Sequence, residues 1–251
     1  MSEALLRIDN IAKRFGGLRA VDQVSFDIVP GRITALIGPN GAGKTTLFSL
    51  IAGFLPPDQG RIVFDGADVT GEPPHRLARR GIGRTFQIVQ PFTGLTVREN
   101  IAVGSHLARS RRADALAAAG DVARAVGLSA QLDQPAATLT VAGRKRLELA
   151  RALAIEPRLL LLDEVLAGLN PSELRDMVPV IRAIAARGIT IVMIEHVMQA
   201  VMSLAEHVFV LAEGRIIAEG TPAQVAADPA VIEAYLGQGA AARLAAASAH
   251  A

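Results

Sequence analysis

The chain has 251 residues, 51% of them hydrophobic and 20% charged, which is ample for one buried core and far from the compositions that stay disordered. With no cysteine, disulfides and thiolate metal sites are excluded, and a formal net charge of +2 lies too near balance to point to nucleic acid. The mean hydropathy is +0.34, yet the longest aliphatic stretches, 159–162 and 189–194, fall far short of the ~20 residues a spanning helix needs, and the opening residues lack the basic-then-apolar pattern of an export signal. The sequence therefore predicts a chain that crosses no bilayer.

In chain order, residues 5–8, 25–29, 33–37 and 61–65 are short alternating or wholly apolar runs and predict strands, with a helix after the third. Residues 95–151 are rich in Ala and Leu at helical spacing, broken by Gly104, Gly120, Gly127 and Pro135, and predict a helical lobe. The runs 159–163, 190–194 and 208–211, apolar apart from Asp163 and Thr190 at their ends, have the look of buried parallel strands, with a helix over 171–187 between the first two. A Glu213-Gly214 turn predicts a hairpin into residues 215–218. A terminal helix over 229–236 should end at Gly237, and the alanine-rich residues 239–251 should fray. No internal repeat is present, and the pattern is α/β.

The segment Gly38-Pro39-Asn40-Gly41-Ala42-Gly43-Lys44-Thr45-Thr46 follows an apolar strand and opens a helix, the context a phosphate-binding P-loop requires. Its glycines let backbone N–H groups point at phosphate oxygens, to which the helix adds its positive end. Lys44 should reach the β and γ phosphates of a nucleotide, and the Thr45 hydroxyl should ligate Mg²⁺. Such a site also needs an acid at the end of a nearby buried strand, and Asp163 and Glu164 follow the run 159–162. Asp163 is placed to order Mg²⁺ and Glu164 to polarise the water that attacks the γ-phosphate. His196, just past the strand over 190–194, emerges at the same sheet edge and could contact the γ-phosphate, although a lone histidine is also a common surface or helix-capping group. Gln87 could complete a Mg²⁺ shell through its amide, but the residues alone leave it unassigned.

Taken in this order, these motifs resemble the nucleotide-binding subunit of an ATP-binding cassette (ABC) transporter over nearly the whole chain. The resemblance implies a P-loop NTPase (RecA-like) core with an N-terminal antiparallel β region and an inserted helical subdomain. As one ATPase domain over 1–238, its core would occupy about 1–90 and 155–238, the helical subdomain about 91–154, with 239–251 a flexible tail. It assigns Phe15 to adenine stacking, where a core Phe on an edge strand is the other reading. Gln87 falls at the metal- and transporter-sensing glutamine, Asp163 at the metal acid, Glu164 at the catalytic base and His196 at the switch histidine. Leu139-Thr140-Val141-Ala142-Gly143 aligns with a signature that usually reads Leu-Ser-Gly-Gly-Gln. Thr140 keeps a hydroxyl for the ATP of an opposite subunit, Val141 and Ala142 replace both glycines, and Gly143 closes the motif. The same residues would also serve as the cap and first turn of a helix.

Finer likeness, in residues 14–18, 70–87 and 163–173, with Asn170 in the segment after the base, is to the branched-chain amino-acid uptake branch. That resemblance implies ATP and Mg²⁺, permease subunits, a second ATPase subunit, identical or sister, an extracellular or periplasmic solute-binding protein acting indirectly, no nucleic acid, and a peripheral place on the cytoplasmic face of the plasma (inner) membrane. A soluble cassette acting on DNA or ribosomes, and a module that holds ATP without turnover, are the alternatives. The basic groups Arg76, Arg79, Arg80 and Arg84, and Arg109, Arg111 and Arg112, are expected on solvated faces, and Met193, Met198 and Met202 in core or interface gaps.

Overall fold

A computed structural model describes residues 4–237, 239 and 240. Two sheets form the molecule. The first is antiparallel, in the order β2 (Leu18–Ile28), β1 (Leu6–Phe15), β4 (Gln59–Phe64), β5 (Ala67–Asp68). The second runs β10 (Arg215–Gly220), β9 (His207–Ala212), β3 (Ile33–Ile37), β8 (Thr190–Ile194), β7 (Leu159–Asp163), β6 (Ile82–Arg84) and is parallel from β9 to β6, with β10 added antiparallel at one edge.

The apolar runs of the second sheet are explained by burial on both faces. Leu161 of β7, Val192 and Ile194 of β8 and Leu36 of β3 face the first sheet, where Leu6, Ile8, Phe26 and Phe64 meet them together with Leu47 and Phe48 of helix α1 (Lys44–Ile51). Their neighbours Leu160, Leu162, Ile191, Met193 and Ala35 face the other way, against helices. Those helices are α3 (Val97–Ser105), α4 (Arg112–Val126) and α5 (Val141–Leu153), all between β6 and β7, then α6 (Pro171–Ala185) and α7 (Met198–Leu204). A short α2 (Pro74–Arg80) precedes β6, and α8 (Pro222–Ala226) and α9 (Pro229–Leu236) follow β10.

Helix α6 starts where Asn170 accepts from the N–H groups of Ser172 and Glu173, while Glu173 accepts from the N–H of Asn170, with Pro171 at the first turn. Gly127 ends α4 at φ 75°, as its position suggests, but Gly104 and Gly120 lie inside helices and break neither. At Gly104 a Cβ would stand 2.7 Å from the Arg151 carbonyl oxygen, so this glycine permits close packing of α3 on α5. Strands β1 and β2 are much longer than the runs 5–8 and 25–29, because register shifts between Ile8 and Ile11 and between Ile11 and Lys13 interrupt the alternation. The β9–β10 hairpin turns through Glu213 and Gly214, both at positive φ. Of the expected tail only 239 and 240 are described, with Ala240 buried; 241–251 lie outside the described residues. No helix among the described residues is long and apolar enough to cross a membrane.

Leu161 is fully buried in the middle of this arrangement. Leu161→Ala should destabilise the protein by about 3 kcal/mol, the usual range for a buried leucine that leaves a cavity, measured as a lowered urea midpoint at unchanged slope.

Candidate nucleotide site

The parallel register sets Leu36 and Asp163 on either side of Ile194, so the segments leaving β3, β7 and β8 emerge at one edge. The segment leaving β3 is the glycine-rich loop. Gly38 has φ 151° and Gly43 φ 104°; a Cβ would lie 1.9 Å from the Leu211 carbonyl oxygen at the first and 2.1 Å from that of Ala20 at the second. Neither place admits a side chain, so the loop is held against β9 and β2 and its path is fixed. Gly43 leads directly into α1, whose free N–H groups and positive end face the space over the loop. Lys44 is 6% exposed and its Nζ donates to the carbonyl oxygens of Gly38 (2.8 Å) and Pro39 (2.9 Å). Burial lowers its pKa, an effect opposed by the nearby charges of Glu164 and Asp163.

Glu164 is held at every polar position. One carboxylate oxygen accepts from Gln87 Nε2 at 2.6 Å, and the other lies 2.8 Å from His196 Nε2. Its N–H donates to the Ile194 carbonyl and its own carbonyl accepts from Lys145 Nζ at 2.9 Å. The backbone turns here at φ 51°, a left-handed conformation that a non-glycine residue adopts at a cost. Asp163, 1% exposed, takes Arg84 Nη2 on Oδ2 at 2.9 Å, while Oδ1 is buried without a hydrogen-bond partner.

Lys44, Asp163, Glu164, Gln87 and His196 thus share one place. Thr45 and Thr46 begin α1 beside Lys44, and Pro39, Asn40, Gly41 and Ala42 complete the loop. Phe15 is 47% exposed and stands at the tip of the β1–β2 hairpin, paired with Leu18, two residues from the Ala20 carbonyl that abuts Gly43. The reading of Phe15 as a core residue is therefore excluded. Thr140 and Gly143 lie elsewhere in the chain: Thr140 caps α5, its hydroxyl accepting from the Gly143 N–H at 3.2 Å, and both line a depression of about 460 Å³ to which no P-loop residue contributes. Val141 is 57% exposed at the same helix start.

Several buried charges escaped the sequence reading, Glu148 among them. Arg84, expected on a solvated face, is 8% exposed at its side chain. Lys145 braces the Glu164 carbonyl, and Glu195, 1% exposed, accepts from the Leu166 N–H at 2.9 Å with its second oxygen unpartnered. The signal for Glu195 was its place between a buried strand and His196. Arg80, Arg109, Arg111 and Arg112 do pair with acids at the surface. Met193 is in the core, but Met198 and Met202 are 41% and 47% exposed and fill no gap within this chain, because their positions on α7 face outward.

A strand, glycine loop and helix with an acid pair at the end of the next strand but one define a P-loop nucleotide-binding protein. The ABC transporter family matches residues 21–167, more than half of the chain, and a segment characteristic of branched-chain amino acid ATP-binding cassette transporters matches 215–241. The high-affinity branched-chain amino acid transport ATP-binding protein BraF of Pseudomonas aeruginosa is 38% identical, over 95% of this chain and 100% of its own length. LivG of Escherichia coli K12, of the same description, is 37% identical with the same coverage. Among solved structures, a nucleotide-free ATP-binding cassette from an ABC transporter superposes with a TM-score of 0.86 at 34% identity, covering 94% of this chain and all of that one. The ADP conformation of the cassette MJ1267 does so with a TM-score of 0.86 at 35% identity and the same coverage. The chain belongs to the ATP-binding proteins of the ABC transporter family, in the group that contains the branched-chain amino acid transport cassettes.

Glu195 supplies a pH prediction. Burial pushes its carboxyl up to about 7, with the charge of Glu164 adding to the rise and the Leu166 N–H and Lys145 opposing it. A raised acid binds its proton more tightly in the folded state, so its stabilisation is complete below the unfolded carboxylate value and is lost as pH rises through about 7. Glu195→Gln cannot ionise, and should exceed the wild type in stability by up to roughly 3 kcal/mol above pH 8. Thermal melts should show that advantage shrinking towards zero near pH 5.

Proposed function

We propose that this chain hydrolyses ATP to power the import of branched-chain or related amino acids through membrane permease subunits. The observation that carries the reading is the Glu164 carboxylate, fixed by Gln87 and His196 next to Asp163 and within electrostatic reach of Lys44. Each oxygen of a carboxylate has two accepting directions, so one donor on each leaves room for a water proton. Glu164 would orient that water in line with the γ-phosphate, and His196 and Lys44 would hold the γ-phosphoryl oxygens as charge develops. The N–H groups of Gly41 and Gly43 and the start of α1 would cradle the phosphates, with Phe15 against the adenine.

The donors fit a hard cation: a hydroxyl at Thr45, an amide oxygen at Gln87 and the buried, unpartnered Oδ1 of Asp163. When bound, Mg²⁺ supplies charge neutralisation on the phosphate oxygens. The machinery around Glu164 argues for turnover over mere retention of ATP.

Since Thr140 and Gly143 lie apart from the P-loop, a second ATPase chain, identical or a sister, would bring its own signature helix over this loop in a head-to-tail pair. The core would comprise about 1–90 and 155–238, with about 91–154 as the helical subdomain. Between them, Phe54, Phe86 and Val103, each half exposed, line a groove of about 230 Å³ with Glu148 and Arg151. Its apolar floor and paired charges suit a short segment of a permease. The protein would then sit peripherally at the cytoplasmic face of the membrane, served indirectly by a solute-binding protein.

Glu164→Gln should retain ATP binding while lowering turnover at least ~100-fold; turnover near that of the wild type would refute the assigned role. Lys44→Ala should weaken nucleotide binding itself by at least about tenfold, as read in a fluorescent-ATP titration. Uptake of radiolabelled leucine by cells expressing the chain with its permeases tests the transported class.

A further inference from the structure

Arg84 ends β6 in the interior, with its guanidinium joined to two different parts of the molecule. Nη2 donates to Asp163 Oδ2 at 2.9 Å and Nη1 to Ser49 Oγ of α1 at 3.1 Å, while Nε is buried without a partner. The cation lies 5.5 Å from the ring centre of Phe86, 5.6 Å from that of Phe54 and 6.0 Å from that of Phe48. Phe54 and Phe86 are packed edge to face, 5.4 Å apart, and each also faces solvent in the groove that Arg84 itself helps to line.

A guanidinium so far from water requires a counter-charge, and Asp163 is the carboxylate it pairs with. The planar fork spans Asp163 and Ser49 while its face rests among aromatic rings, which an ammonium cannot do. Because Oδ2 is committed to Arg84, the carboxylate cannot turn freely and Oδ1 remains the oxygen available to a ligand. The rings that fix the cation are the ones an occupant of the groove would touch.

We propose that Arg84 is a positioning residue: it orients Asp163 toward a divalent cation, and through Phe54 and Phe86 it makes that orientation depend on the state of the groove. This rests on the reading of Asp163 as a metal acid. No contact between Arg84 and nucleotide is involved.

The test is Mn²⁺ titration of the full chain with a non-hydrolysable ATP analogue, followed by electron paramagnetic resonance of bound Mn²⁺. Arg84→Met should raise the Mn²⁺ midpoint by about tenfold or more, the usual effect of losing the partner that orients a metal ligand. Arg84→Lys, keeping the charge without the fork, should fall between that variant and the wild type. Phe54→Ala, on the groove side, should raise the midpoint by about two- to threefold; if Arg84→Met does not fold, an unchanged midpoint in Arg84→Lys overturns the positioning role in its place. Binding of the analogue without divalent ion should not change in any variant. A midpoint unchanged or lowered in Arg84→Met, with only the melting temperature reduced, overturns the proposal, and an unchanged midpoint in Phe54→Ala overturns the link to the groove. If the wild type itself binds no Mn²⁺ with nucleotide, the reading of the site has failed instead.

Discussion

Everything at the nucleotide edge depends on the register of three parallel strands. Ile194 of β8 faces Leu36 of β3 on one side and Asp163 of β7 on the other, so three chain segments far apart in sequence leave the sheet level with one another. A slip of one residue in β7 would turn Asp163 to the opposite face and move Glu164 away from Gln87 and His196. The alternation of Leu159 and Leu161 toward one core and Leu160 and Leu162 toward the other opposes any such slip, since both faces would have to be repacked. Packing of plain leucines thus fixes the position of the carboxylates.

Around these carboxylates the interior is unusually rich in charge for a sheet edge. Lys44, Lys145, Glu148, Asp163 and Glu195 are all buried, and most have polar partners that belong to the same neighbourhood. Burial raises the pKa of Glu148 as it does that of Glu195, and Arg151 offsets part of the rise at Glu148. Buried ion pairs contribute little net stability against apolar replacements, but breaking one leaves an uncompensated charge. Their effect here is geometric: Lys145 braces the backbone of Glu164 from α5, and Glu195 ties the segment after β8 to the one after β7 through Leu166.

Much of this could be read from the chain alone, for identifiable reasons. Strands β3, β7 and β8 are apolar runs with one polar residue each, Thr34, Asp163 and Thr190, and the glycine loop carries its own local instructions. What escaped reading was long-range. Arg84 stands in a sequence crowded with arginines, and only its pairing with Asp163, 79 positions away, shows that it is internal. The bulges of β1 hide its alternation, whereas the glycines inside α3 and α4 imitate breaks that helix packing overrides. Thr140 caps α5 with the same hydroxyl that the signature reading would give to a nucleotide, so the two roles could not be separated by inspection of the motif.

The left-handed backbone at Glu164 has a practical corollary. A glycine would adopt that turn more easily, so anyone hardening this protein by relieving unfavourable dihedrals would find one of the simplest gains, on the order of 1 kcal/mol, at the position whose carboxylate the proposed function makes reactive. Robustness and chemistry compete there for a single side chain, and engineering for shelf life would have to begin elsewhere.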